Sequence, residues 1–224
     1  MVKLSERIYK KDILRNKYLI LCYDIMRTIQ KDHDAVICKE DAGNLNDIYE
    51  RNYIITFAYL MGRNAGESKL LSNKFVNGEL KKDIVLDSQN DDYKTKAKIY
   101  PKRNYYCPDF VIHTSHGNNG KYEGQHLIME AKTTSKLQQK EFEWDLFKLN
   151  LYVEYLDFDI AVYLIVNTSI AEVSSMVDKY NQKGFWCSSK LCGLNRRRNN
   201  KEYHIYFLIQ ESVDKSPKIF ELKV

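Results

Sequence analysis

Proline is scarce in this sequence, three residues in 224, and no internal repeat, low-complexity tract or long linker divides the chain. Nothing in it marks a domain boundary, so its 44% hydrophobic content reads as one core, with a single domain as the expectation. Apolar runs of about twenty residues are missing too, as is a secretory signal, so no membrane association is expected and the cytoplasm is the expected compartment. The five cysteines are odd in number and scattered. Cys187 and Cys192 have no second Cys or His pair at zinc-finger spacing, which leaves free thiols as the simple reading. Helicase and methyltransferase motifs are absent, and no separate DNA-reading module is recognisable. The net charge of +5 permits a polyanionic partner without requiring one.

Hydrophobic periodicity sets out the elements. Residues 5 to 30 place Ile8, Ile13, Leu14, Leu21, Ile25, Met26 and Ile29 mostly three, four or seven apart, which predicts an amphipathic helix. A second helix is predicted over 47 to 62, stopping near Gly62 and Gly66. In the region 67 to 106 the clearest local signal is Asn77-Gly78, a hairpin-like pair. "DFVIHTS" and "QHLIMEAKT" are short apolar runs on either side of a Gly/Asn-rich connection and predict two antiparallel strands. A helix over 135 to 156, capped by Ser135, follows; then come a buried strand in "DIAVYLIVN", a helix in "SIAEVSSMVDKYNQ" and a strand in "EYHIYFLIQ". The fold class is α/β or α+β, with a central mixed β-sheet flanked by helices.

The chemistry lies where acids enter the apolar runs. Residues two apart on a strand share a face, so Glu130 and Lys132 point together. If the two strands pair, Asp109 at the start of the first lies beside Glu130, and two carboxylates come within reach of one hard cation. Mg²⁺ or Mn²⁺ held by Asp109 and Glu130, with the backbone carbonyl of Ala131 as a further ligand, would stabilise charge on a phosphate and acidify a bound water. Lys132 would position that water or stabilise the transition state. The trio suits hydrolysis of a phosphodiester.

Pro108-Asp109 followed by Glu130-x-Lys132 resembles the signature of the PD-(D/E)XK nuclease superfamily, the restriction-endonuclease-like fold. The resemblance covers residues 46 to 167 as a catalytic core in the order helix, three strands, helix, strand. Residues 1 to 45 are then a helical extension and residues 168 to 224 a C-terminal helix and strands. It implies a metal-dependent nuclease acting most often on DNA, with Asp109, Glu130 and Lys132 as its catalytic residues. It also implies an additional metal ligand from the preceding helix, where Glu50 stands, and polar residues on the following helix, for which Gln138, Gln139 and Lys148 are the candidates. Many members act as dimers, so a homodimer is a further expectation.

An acid-x-lysine triplet is not specific: Glu67/Lys69, Glu79/Lys81, Asp92/Lys94 and Glu221/Lys223 have the same form, about the number that this composition produces at random. The context distinguishes Glu130/Lys132: the only Pro-Asp pair opens one apolar run, and the triplet closes the next just before a long helix. Glu221/Lys223, in "IFELKV", is the second-ranked alternative. Asp109 and Lys132 also fit a plain cross-strand ion pair at a sheet edge. Asp47-x-x-Glu50 equally has the spacing of a helix capping box. His113 follows the strand alternation and His116 the turn, so neither is assigned as a ligand. Nucleic acid contacts are expected from Lys96, Lys98, Lys102 and Arg103, which are interleaved with tyrosines, and from Arg196, Arg197 and Arg198. The rival reading is a non-catalytic nucleic-acid-binding or assembly subunit on the same fold.

Overall fold

The structure, a computed structural model, describes residues 3–7, 16–31, 50–67, 69–71, 74–78, 107–114, 124–155, 158–182 and 204–223. Its elements in chain order are β1 (Lys3–Arg7), α1 (Lys17–Lys31), α2 (Glu50–Glu67), a 3₁₀ turn (Lys69–Leu71), β2 (Lys74–Gly78), β3 (Phe110–Thr114), β4 (Gln125–Lys132), α3 (Gln139–Tyr155), β5 (Ile160–Val166), α4 (Ile170–Gln182), β6 (His204–Gln210) and β7 (Lys218–Lys223). The strands form one mixed sheet in the order β1-β7-β6-β5-β4-β3-β2. β4, β5 and β6 run parallel, and the remaining pairings are antiparallel.

All seven residues of β5 are buried, as a strand covered on both faces requires. Its alternation divides the interior. Ala161, Tyr163 and Ile165 pack on one side with Phe142, Phe147, Val173 and Val177 of α3 and α4; Ile160, Val162, Leu164 and Val166 pack on the other with Ile25, Met26, Tyr53 and Phe57 of α1 and α2. The result is three layers, helices on both faces of the sheet.

The antiparallel pair anticipated around the Gly/Asn-rich connection is present as β3 and β4, with Phe110 opposite Met129. It closes tightly: the Thr114 N–H donates to the Gly124 carbonyl at 2.9 Å, and Gly124 has φ +84°, where a Cβ would sit 1.7 Å from Thr114 Oγ1. Only glycine meets both conditions. The α4 helix opens on a capping box, in which Glu172 N–H donates to Ser169 Oγ and Ser169 N–H donates to Glu172 Oε2.

Several expectations are corrected. The first helix begins at Lys17 rather than residue 5, and Lys3–Arg7 is an edge strand beside β7, so the N-terminal segment is more than a helical extension. Pairing with β7 outweighs the weak helical period of these few residues. Asn16 Oδ1 accepts the N–H groups of Tyr18 and Leu19 and sets that helix start. Asn77-Gly78 is not a turn: Asn77 lies opposite Val111 and Gly78 opposite Phe110 in the β2–β3 ladder. Ser135 does not cap α3; the Gln138 carbonyl accepts the first helical N–H groups, from Glu141 and Phe142. Finally, α2 continues through Gly62 and Gly66 to Glu67. A Cβ at Gly62 would meet nothing within 4 Å and its φ is not positive, so Gly62→Ala is expected to raise stability by about 0.5–1 kcal/mol, read from denaturant midpoints.

Candidate active site

β4 and β5 end side by side, and the C-terminal end of such parallel strands is where open α/β sheets bind ligands. Glu130 and Lys132 occupy the last turn of the β4 alternation and share the face of Ile128, toward α3. Asp109 precedes β3. Its Oδ2 accepts the Ala131 N–H at 2.7 Å, so its carboxylate is anchored to the strand that carries Glu130 and Lys132. The three residues predicted from the sequence therefore come together, at the interior strands β3 and β4 rather than at a sheet edge. Glu50, the first described residue of α2, joins them: both its carboxylate oxygens lie 3.3 Å from Lys132 Nζ. The capping-box alternative involves Asp47, which lies outside the described residues. The Ala131 carbonyl accepts a hydrogen bond from Lys132 Nζ at 3.1 Å.

The helix that follows contributes more than the sequence indicated. Lys148 Nζ lies 2.5 Å from Glu130 Oε2 and 3.0 Å from Asp145 Oδ1, while Asp145 Oδ2 is 3.4 Å from Lys132 Nζ and accepts the Tyr163 hydroxyl at 3.2 Å. Asp145 is thus the hub joining both lysines, yet sequence reasoning missed it. The signal was present: every residue from 142 to 150 is buried, so an acid and a lysine three apart in that stretch had to find partners. Lys148 was anticipated and reaches the site. Gln138 is exposed on the helix cap, and Gln139 turns away, donating to Glu143 Oε1 at 2.8 Å and to the Met176 carbonyl on α4. His113 bonds Asn77 Oδ1 across the β2–β3 ladder, outside the site. Glu221 lies on β7, with β6 and β5 between it and β4. Lys96, Lys98, Lys102, Arg103, Arg196, Arg197 and Arg198 lie outside the described residues.

Burial governs the protonation of this cluster. It raises the Glu130 carboxyl well above the ordinary carboxylate range, with Lys148 opposing and Asp145 and Asp109 reinforcing the shift. Asp109 and Glu50 are raised for the same first reason, with Lys132 opposing in both. Burial also works against the ammonium of Lys132, but Asp145, Glu50, Asp109 and Glu130 together lift its pKa above the usual lysine value. Lys148 is raised likewise, by Glu130 and Asp145. Lys132 is therefore a fixed positive charge near neutral pH and not a proton acceptor.

Two features fit a divalent cation. Glu130 Oε1 and the Tyr152 hydroxyl are buried with no hydrogen-bond partner among the described residues. Among the described residues, the carboxylates of Glu50, Asp109, Glu130 and Asp145, when fully ionised, face two ammonium groups, leaving a formal charge of −2 on hard oxygen donors. No three His, Cys, Asp or Glu side chains among the described residues form a ready-made metal shell, and Lys132 and Lys148 are in contact with the carboxylates.

Comparison with known proteins returned no matching family model, no matching curated protein and no matching solved structure. Among the described residues, no helix is long and apolar enough to cross a membrane.

Proposed function

We propose that this chain is a divalent-metal-dependent nuclease, acting on DNA, whose α2-β2-β3-β4-α3-β5 segment is a restriction-endonuclease-like core. The observation that carries the reading is the Asp109 carboxylate hydrogen-bonded to the backbone of Ala131, between Glu130 and Lys132. Asp109 and Glu130 would hold Mg²⁺ or Mn²⁺, with Glu50 and the Ala131 carbonyl completing the oxygen donors. When bound, the metal supplies Lewis-acid stabilisation of phosphate charge and an acidified water. Lys132, kept protonated and held between Glu50 and Asp145, places a positive charge where the phosphate becomes more negative. Lys148 and Tyr163 act through Glu130 and Asp145 as positioning residues.

The pairing of Glu130 with Lys148 also favours a second reading, a non-catalytic nucleic-acid-binding subunit whose charges are satisfied internally. Incubation with linear, circular and single-stranded DNA and with RNA, in Mg²⁺, Mn²⁺ or EDTA, separates the two. Cleavage that EDTA abolishes supports the nuclease. Metal-independent binding with no cleavage of any substrate supports the subunit.

The raised carboxyls add a pH prediction. Protons held on Glu130 and Asp109 above the ordinary range compete with a cation, so metal binding strengthens as pH rises through those values. The acid limb of the cleavage profile is expected to move to lower pH as Mg²⁺ is increased. A limb that stays fixed across Mg²⁺ concentrations would detach it from these groups.

A further inference from the structure

The outer face of α2 is unlike an ordinary solvated helix surface. Arg51, Ile55, Tyr59 and Arg63 are spaced four apart, so they form one ridge that winds slowly along the helix for about 18 Å. All four are exposed, Ile55 by 57% and Tyr59 by 66%, the two largest exposures among the large hydrophobic side chains of the described residues. No acidic residue occurs between Arg51 and Gly66. The carboxylate at the head of the helix, Glu50, is turned to Lys132 and does not join the ridge. An arginine at each end and an apolar, aromatic middle, starting one residue from the candidate active site, suit one kind of ligand: a polyanion that carries flat apolar groups along its length.

We infer that this ridge binds single-stranded nucleic acid adjoining the active site, with bases on Tyr59 and Ile55 and phosphates at Arg51 and Arg63. The inference rests on the nuclease reading and extends it to the form of the substrate. A duplex would present its phosphates to Ile55 and Tyr59 and keep its bases stacked inside, which wastes the apolar middle; an unpaired strand can use all four side chains. A second copy of this chain, the competing occupant, would bring the same two arginines toward themselves across a two-fold axis with no acid on the ridge to receive them.

The test measures the affinity of the full chain for fluorescein-labelled oligothymidylate of about 15 nucleotides, and for a hairpin duplex, in EDTA. Tyr59→Ala is expected to weaken single-strand binding at least about fivefold, the lower limit of base–aromatic stacking, while Tyr59→Phe retains it. Arg51→Gln with Arg63→Gln is expected to reduce the slope of log affinity against log salt by about 1.4, two phosphates at about 0.7 each. Because these side chains are exposed, circular dichroism should show all variants folded. Unchanged single-strand affinity in Tyr59→Ala would overturn the inference. So would a dimer that Tyr59→Ala dissociates with no change in oligonucleotide binding. If metal-dependent cleavage persists in the same preparations, either failure leaves the nuclease reading intact. Ridge-dependent binding by a protein that cuts nothing in Mg²⁺ or Mn²⁺ would uphold the ridge and overturn the nuclease. A parent chain that neither binds nor cuts overturns both.

Discussion

Asp109→Asn is expected to reduce cleavage about a thousandfold, the several kcal/mol that a metal ligand's charge contributes, while the protein stays folded and loses no stability at neutral pH. Asparagine keeps a side-chain oxygen to accept the Ala131 N–H, so the strand geometry that Asp109 Oδ2 now supports at 2.7 Å survives. The stability half follows from the direction of the Asp109 shift. Burial raises this carboxyl above its unfolded value, so the folded chain binds the proton more tightly than the unfolded chain does. Its contribution to stability is greatest at acid pH and declines as pH rises from the ordinary carboxylate range through the raised value. An uncharged amide escapes that decline. Activity assays beside urea denaturation at acid and neutral pH check both halves. A large loss of stability with no loss of activity would mean that Asp109 is only a structural ion-pair partner.

Lys148→Met is expected to be the most destabilising change at the site, by about 3–5 kcal/mol, because it strands buried acids. Lys148 lies 2.5 Å from Glu130 Oε2 and 3.0 Å from Asp145 Oδ1, and the two acid side chains are each only 1% exposed. Methionine matches the aliphatic stem but removes the cation in contact with Glu130. Adding Glu130→Gln to Lys148→Met should restore most of the loss, since the cost lies in the unpaired charge and not in the missing contact. Chemical denaturation of the two single variants and the double variant measures the coupling. Strictly additive effects would show that the Glu130–Lys148 pair is not the energetic unit.

Local patterning carried much of this architecture. Alternation in "DFVIHTS" and "QHLIMEAKT", with the Gly-containing connection, was enough to pair β3 with β4, and that pairing placed Asp109 near Glu130. The continuous apolar run of β5 announced a strand buried on both faces. What escaped was tertiary. "KLSER" has too little periodicity to declare an edge strand, and only β7, more than two hundred residues away in sequence, makes it one. Gly62 reads as a helix stop by propensity, but Tyr53, Phe57 and Met61 bury a stripe that carries α2 past it. Gln138 and Gln139 were reasonable polar candidates by position; the turn of α3 directs them elsewhere and brings in Asp145 instead, a residue that only the spacing to Lys148 could have suggested.

Titration of the metal-free protein with Mn²⁺ by calorimetry, in buffers of differing ionisation enthalpy, tests the central claim most directly. Binding that releases more protons as the pH is lowered, and that disappears in Asp109→Asn, is the predicted result, because burial raises the pKa of the same carboxyls that must receive the cation. No Mn²⁺ binding by the parent chain, or binding of equal strength in Asp109→Asn, would contradict the assignment of this cluster as a metal-dependent active site.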